Sequence, residues 1–158
     1  MNLGLQKIRV LLAEEDMIQR LLVREYLEMD SRFEVHEAKG VHHIQALCKS
    51  KVAGIALVLL DMEFSRVDSI GLVLEIRKVR PDLRIMGMTE RQADLYAEPR
   101  LRKSGTGFIP KPFSPFLLHR SIQALFKPTR ANIGRIPKAI PVRKIVSSRR
   151  GALYFDRE

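Results

Sequence analysis

Along residues 8–126, short solid apolar runs alternate with stretches whose apolar positions recur every three or four residues. The runs "IRVLLA" (8–13) and "IALVLLD" (55–61) are short and have no polar face, which predicts strands buried on both sides. "FEVHE" (33–37) alternates and predicts another strand; "LRIMGM" (83–88) and "GFIP" (107–110) complete five. Pro110 suits an edge strand, since it cannot donate to a ladder. The segment "MIQRLLVREYLEM" (17–29) puts Ile18, Leu21, Leu22, Tyr26 and Met29 at helical spacing. Helices are also predicted over 42–51, 69–80 and 114–126. The second of these stops before Pro81, and the last opens on Ser114 as cap with Pro115 at the first helical position. Residues 91–105 are helical in character, but Pro99 should break or shorten that helix.

Five alternations of strand and helix argue for an α/β fold, a parallel sheet with helices on both faces. The chain has 158 residues, enough for one ordinary core, and 46 % of them are hydrophobic, so it is globular. Its net charge of +10 is unevenly placed. Residues 127–158 hold nine Lys or Arg against two Asp or Glu, a net of +7, whereas residues 1–126 carry only +3. The division is therefore a domain over 7–126 and a basic, proline-containing tail or linker over 127–158. A short hairpin is a weak prospect within 144–158. The single Cys48 rules out an internal disulfide framework and reads as a small core residue. Apolar runs of six or seven residues cannot span a membrane, and the first ten residues lack signal-peptide anatomy, so a cytoplasmic protein is expected.

In open parallel sheets, ligands gather at the carboxyl ends of the strands. The first predicted strand runs into Glu14, Glu15 and Asp16, the third ends in Asp61, the fourth in Thr89 and the fifth in Lys111. Three like charges together repel and need a positive partner. Clustered carboxylates attract a divalent cation, and hard oxygen ligands favour Mg²⁺, with Lys111 as a second source of positive charge. Asp16 is placed to cap the helix that follows. Neighbouring His42 and His43 do not face each other on a helix and are not read as metal ligands.

These motifs resemble the CheY-like receiver domain of two-component response regulators. "VLLAEED" looks like its first strand and acidic cluster, "VLLDMEF" the strand with the phospho-accepting aspartate, "GMTE" the switch threonine and "GFIPKPF" the lysine–proline motif. The spacings of 28 positions from Asp61 to Thr89 and 22 from Thr89 to Lys111 also fit. The resemblance implies a doubly wound five-stranded parallel sheet of flavodoxin-like order 2-1-3-4-5. It implies that Asp61 accepts a phosphoryl group from a sensor histidine kinase, a phosphotransfer protein or a small phosphodonor. Glu15, Asp61 and the backbone carbonyl of Glu63 would hold Mg²⁺, with Glu14 acting through water. Thr89 and Lys111 would bind phosphoryl oxygens, Phe108 would be the aromatic switch, and the bond before Pro112 would be cis. The domain would be regulatory rather than an enzyme, acting on an unknown output protein, and receivers often pair through the face from the fourth helix to the fifth.

Three departures qualify the pattern. Glu15 stands where Asp is usual, "EFSRVDS" replaces the usual Pro-Gly turn after Asp61, and Pro99 falls in the fourth helix. They motivate one alternative, a degenerate receiver acting as an interaction module without phosphorylation. The tail motivates another, binding of nucleic acid or an acidic partner through residues 127–158.

Overall fold

The computed structural model describes residues 6–64, 68–91, 98–127, 145–147 and 153–155. Five strands form one parallel sheet: β1 (Ile8–Ala13), β2 (Phe33–Glu37), β3 (Ile55–Asp61), β4 (Arg84–Thr89) and β5 (Gly107–Pro110), in the order β2-β1-β3-β4-β5. The central strand β3 pairs Leu57 to Leu60 with Val10 to Ala13 of β1 on one side, and with Arg84 to Gly87 of β4 on the other. β5 lies at the edge, where the missing N–H of Pro110 is tolerated.

Alternate residues of each strand feed two cores. Leu11, Ala13, Val58, Leu60 and Ile85 face α2 (Val41–Lys49), α3 (Ser69–Val79) and α4 (Pro99–Ser104), meeting Ile44, Cys48, Val73, Ile76 and Leu101. Val10, Leu12, Leu57, Leu59 and Met88 face α1 (Met17–Glu28) and α5 (Pro115–Phe126), meeting Val23, Leu27, Leu118 and Ile122. Burial on both faces is why β1 and β3 read as solid apolar runs. Gly87 of β4 sits directly beneath Phe108; a Cβ there would come within 2.7 Å of its ring and 2.8 Å of Met62 Sδ.

The helix starts follow local chemistry. Asp16 Oδ1 accepts from Gln19 N at 2.8 Å and caps α1, and Ser114 Oγ accepts from Leu117 N at 3.2 Å and caps α5. Pro99 does not interrupt α4 but begins it, a position where the absent N–H costs nothing. The earlier part of the 91–105 expectation, from 92 to 97, lies outside the described residues. Gly105, at φ +71°, takes the left-handed conformation just past α4.

α1 turns a different stripe inward from the one its apolar spacing suggested. Val23 and Leu27 are buried, whereas Ile18, Leu21, Leu22 and Met29 are exposed. The helix is apolar on two sides, and the side that meets the sheet is the one carrying Val23 and Leu27, with Tyr26 packed partly against the same core. His119 of α5, itself buried, bonds through Nε2 to the carbonyl of Tyr26 at 2.6 Å and fixes α5 against α1.

In the C-terminal segment, β6 (Ile145–Ser147) and β7 (Leu153–Phe155) pair antiparallel, as the faint hairpin signal suggested. The linker and basic arm read over 128–144 lie outside the described residues.

Candidate functional site

The parallel sheet delivers the carboxyl ends of β1, β3, β4 and β5 to one edge. Backbone bonds tie these ends together just beyond the strands: Met62 N donates to Met88 O at 3.0 Å, and Lys111 N donates to Thr89 O at 2.9 Å. Asp61, Thr89 and Lys111 are therefore placed by the sheet itself.

Lys111 is the centre of charge. Its Nζ donates to Glu14 Oε2 at 2.8 Å and to Asp61 Oδ1 at 3.0 Å. Burial alone would lower its pKa, but the hydrogen bonds it donates to Glu14 and Asp61, with their charges, hold it above the ordinary lysine value. This ammonium is the positive partner that the acidic cluster demanded.

The three acids after β1 divide their work. Glu14 is buried, meets Lys111, and accepts from Asp16 N at 3.0 Å. Glu15 is exposed, and Asp16 caps α1. Arg20 straps the turn from one helical turn away, with Nη1 donating to the carbonyls of Glu14 at 3.0 Å and Glu15 at 3.1 Å. The sequence reading gave Glu14 only a role through water and did not find Arg20. The available signal was the four-residue spacing from Asp16 to Arg20, which sets a cation over the strand end.

Glu63 contributes more than a backbone carbonyl. Its N–H donates to Asp61 Oδ1 at 3.3 Å, and its side-chain Oε1 lies 3.4 Å from Thr89 Oγ1, which donates to it. Burial, a hydrogen bond to Asp61 and the Asp61 charge together push the Glu63 carboxyl above the usual range. Thr89 is fully buried and accepts from Arg91 N at 2.9 Å. Phe108 is buried over Gly87, and the Lys111–Pro112 peptide is cis.

Away from this edge, the remaining candidates have structural roles. His43 Nδ1 accepts from Lys39 N at 3.0 Å at the start of α2. Cys48 is fully buried, and desolvation pushes its thiol up to about 11.

The donor set suits a hard cation. Mg²⁺ usually takes one or two protein carboxylates and completes its shell with water. Glu14 and Asp61 converge on one ammonium, which brings two carboxylates together. Among the described residues, no group of three or more His, Cys, Asp or Glu could form an all-protein cage. No described helix is long and apolar enough to cross a membrane.

The family profile of the response regulator receiver domain matches residues 10–123. The fold recurs in solved receivers. The non-phosphorylated HemR receiver domain from Leptospira biflexa is 27 % identical, with a TM-score of 0.64, covering 78 % of this chain and 98 % of that one. A CheY-like receiver domain protein from Methanospirillum hungatei is 22 % identical, with a TM-score of 0.61, covering 75 % and 94 %. The receiver domain of a sensor histidine kinase from Pseudomonas aeruginosa, which has a magnesium ion coordinated in its active-site cleft, is 18 % identical. Its TM-score is 0.64, with 75 % of this chain and 97 % of that one covered. No curated protein matches the chain. Sheet order, strand-end chemistry and profile agree: the chain belongs to the response regulator receiver family, a regulatory class of domain in two-component signalling. Receiver domains typically bind Mg²⁺ in this cleft.

Proposed function

We propose that the chain is a working phosphorylation switch in which Asp61 is the acceptor. The observation that carries this reading is the pair of bonds from Lys111 Nζ to Asp61 and Glu14. Phosphoryl transfer asks chiefly for positioning and charge neutralisation. An Asp61 oxygen attacks phosphorus in line, the bond from phosphorus to the donor's leaving oxygen breaks, and the leaving group departs with its electron pair. The product is an acyl phosphate on Asp61. Lys111, already beside the acceptor, follows the added charge. Mg²⁺ would supply the remaining neutralisation; Glu14 and Asp61, which already meet at Lys111, and the backbone carbonyl of Glu63 would hold it, and Glu15, exposed here, would have to turn inward to join them.

The donor is a sensor histidine kinase, a phosphotransfer protein or a small acyl phosphate. Thr89 turns its hydroxyl to the new phosphoryl oxygens, and Phe108 answers by repacking over Gly87. Those changes bias a surface around α4, β5 and α5 that an output partner reads. Glu15 is the weak point of the metal set: its extra methylene displaces the carboxylate by roughly one C–C bond. Incubation with acetyl phosphate and Mg²⁺, followed by intact mass, tests the reading. One added phosphoryl group on the native chain and none on Asp61→Asn is the expected result. An unmodified native chain would leave an interaction module that works without phosphorylation.

A further inference from the structure

Thr89 has one hydroxyl hydrogen, and the fold has already assigned it. The residue is fully buried, its oxygen accepts from Arg91 N, and the hydrogen points to Glu63 Oε1. Glu63 belongs to the turn immediately after β3, and its backbone N–H is bonded to Asp61, which anchors the turn over the acceptor. Its carboxylate thus occupies space beside Asp61 and takes the threonine bond that a phosphoryl oxygen would take. The 3.4 Å separation is at the outer limit of a hydrogen bond, so the contact can be given up.

We propose that the Glu63 side chain is an internal stand-in for the phosphoryl group, holding Thr89 in place and competing with phosphate for it. This rests on Asp61 being the acceptor and adds a regulator of the same site. Glu63 is exposed as a residue, yet its carboxylate reaches the buried Thr89 hydroxyl and its N–H reaches the buried Asp61. Two effects follow. The carboxylate sets the resting position of the Thr89 hydroxyl, and its negative charge beside Asp61 opposes entry of an anionic donor. The raised Glu63 carboxyl agrees with this placement against another acid.

The test uses the full chain, native and with Glu63→Gln or Glu63→Ala, and two readouts. The first is the NMR signal of the Thr89 methyl group without phosphodonor. It should move in Glu63→Ala, where the acceptor is lost, and stay near its native position in Glu63→Gln, which keeps an acceptor oxygen. The second is the rate of Asp61 phosphorylation by acetyl phosphate, expected to rise about fivefold in both variants as the charge is removed. A Thr89 signal unmoved by Glu63→Ala overturns the proposal, as does an unchanged rate in both variants. If the native chain takes no phosphate, the acceptor reading fails by itself, and the Thr89 signal still decides whether Glu63 holds the threonine.

Discussion

Replacing Lys111 by Met removes the charge while keeping most of the side-chain volume. In the native site, Glu14 and Asp61 both reach the Lys111 ammonium, at 2.8 Å and 3.0 Å, with the lysine side chain only 11 % exposed. Without it, two largely buried carboxylates face each other with no cation. Breaking a buried pair by removing one partner costs about 3–5 kcal/mol, mostly because charge is left uncompensated. Asp61 and Lys111 keep 9 % and 11 % of their side-chain surface exposed, so the lower end applies, about 3 kcal/mol. Urea unfolding at pH 7 reads this as a lower midpoint with an unchanged slope. Glu14→Gln alone should cost roughly 1 kcal/mol, since Lys111 retains Asp61. The double variant should recover roughly 1–2 kcal/mol relative to the sum, because one of the opposed charges has gone. A loss under about 1 kcal/mol in Lys111→Met, or simple additivity in the double variant, would refute the idea that Lys111 is what compensates these acids.

Other expectations can be checked with the same methods. Gly87→Ala should destabilise by about 1–3 kcal/mol through overpacking against Phe108 and Met62, visible as a lower melting temperature. On α1, Leu27→Ala should cost about 2–4 kcal/mol and Leu21→Ala under about 0.5, a contrast that reverses if the exposed stripe were the packed one. Alkali should destabilise the fold. Cys48 titrates near 9.0 when unfolded and about 11 when folded, so its contribution is lost as pH rises from 9.0 toward 11. Lys111, raised above 10.5, contributes fully below that value and is lost as pH climbs through its higher folded value. Cys48→Ala should flatten the first part of that decline, whatever its cost at neutral pH, and an undiminished slope between pH 9.0 and 10.5 would exclude the thiol.

Most of the sheet was legible because burial on two faces writes strands as apolar runs, and because proline marks what it cannot do. Pro110 at the edge and Pro115 at a helix start stand where steric rules put them. Pro99 acts as expected on the described part of 91–105: Glu98 lies outside the helix and Pro99 opens a short one, because the ring that breaks a helix interior is at ease at its first residue. The α1 stripe was misread because its segment offers two apolar faces, and periodicity cannot say which one meets the sheet. At the site, strand ends located Asp61, Thr89 and Lys111, since a parallel sheet aligns them by construction. The part played by Glu14 was hidden, because three adjacent acids look alike until the turn points one inward. The Glu63 carboxylate was hidden for the same reason: which way a turn residue reaches is set by the contacts around it.

The central claim is that Asp61 takes the phosphoryl group. Its most direct test is to incubate the native chain with acetyl phosphate and Mg²⁺, reduce the product with borohydride, and map peptides by mass. An acyl phosphate is reduced to an alcohol, which marks the modified residue permanently. Conversion of Asp61 to homoserine, absent without phosphodonor and absent in Asp61→Asn, is the predicted result. No reduction at Asp61, or the mark at another acid such as Glu14 or Glu15, would contradict it.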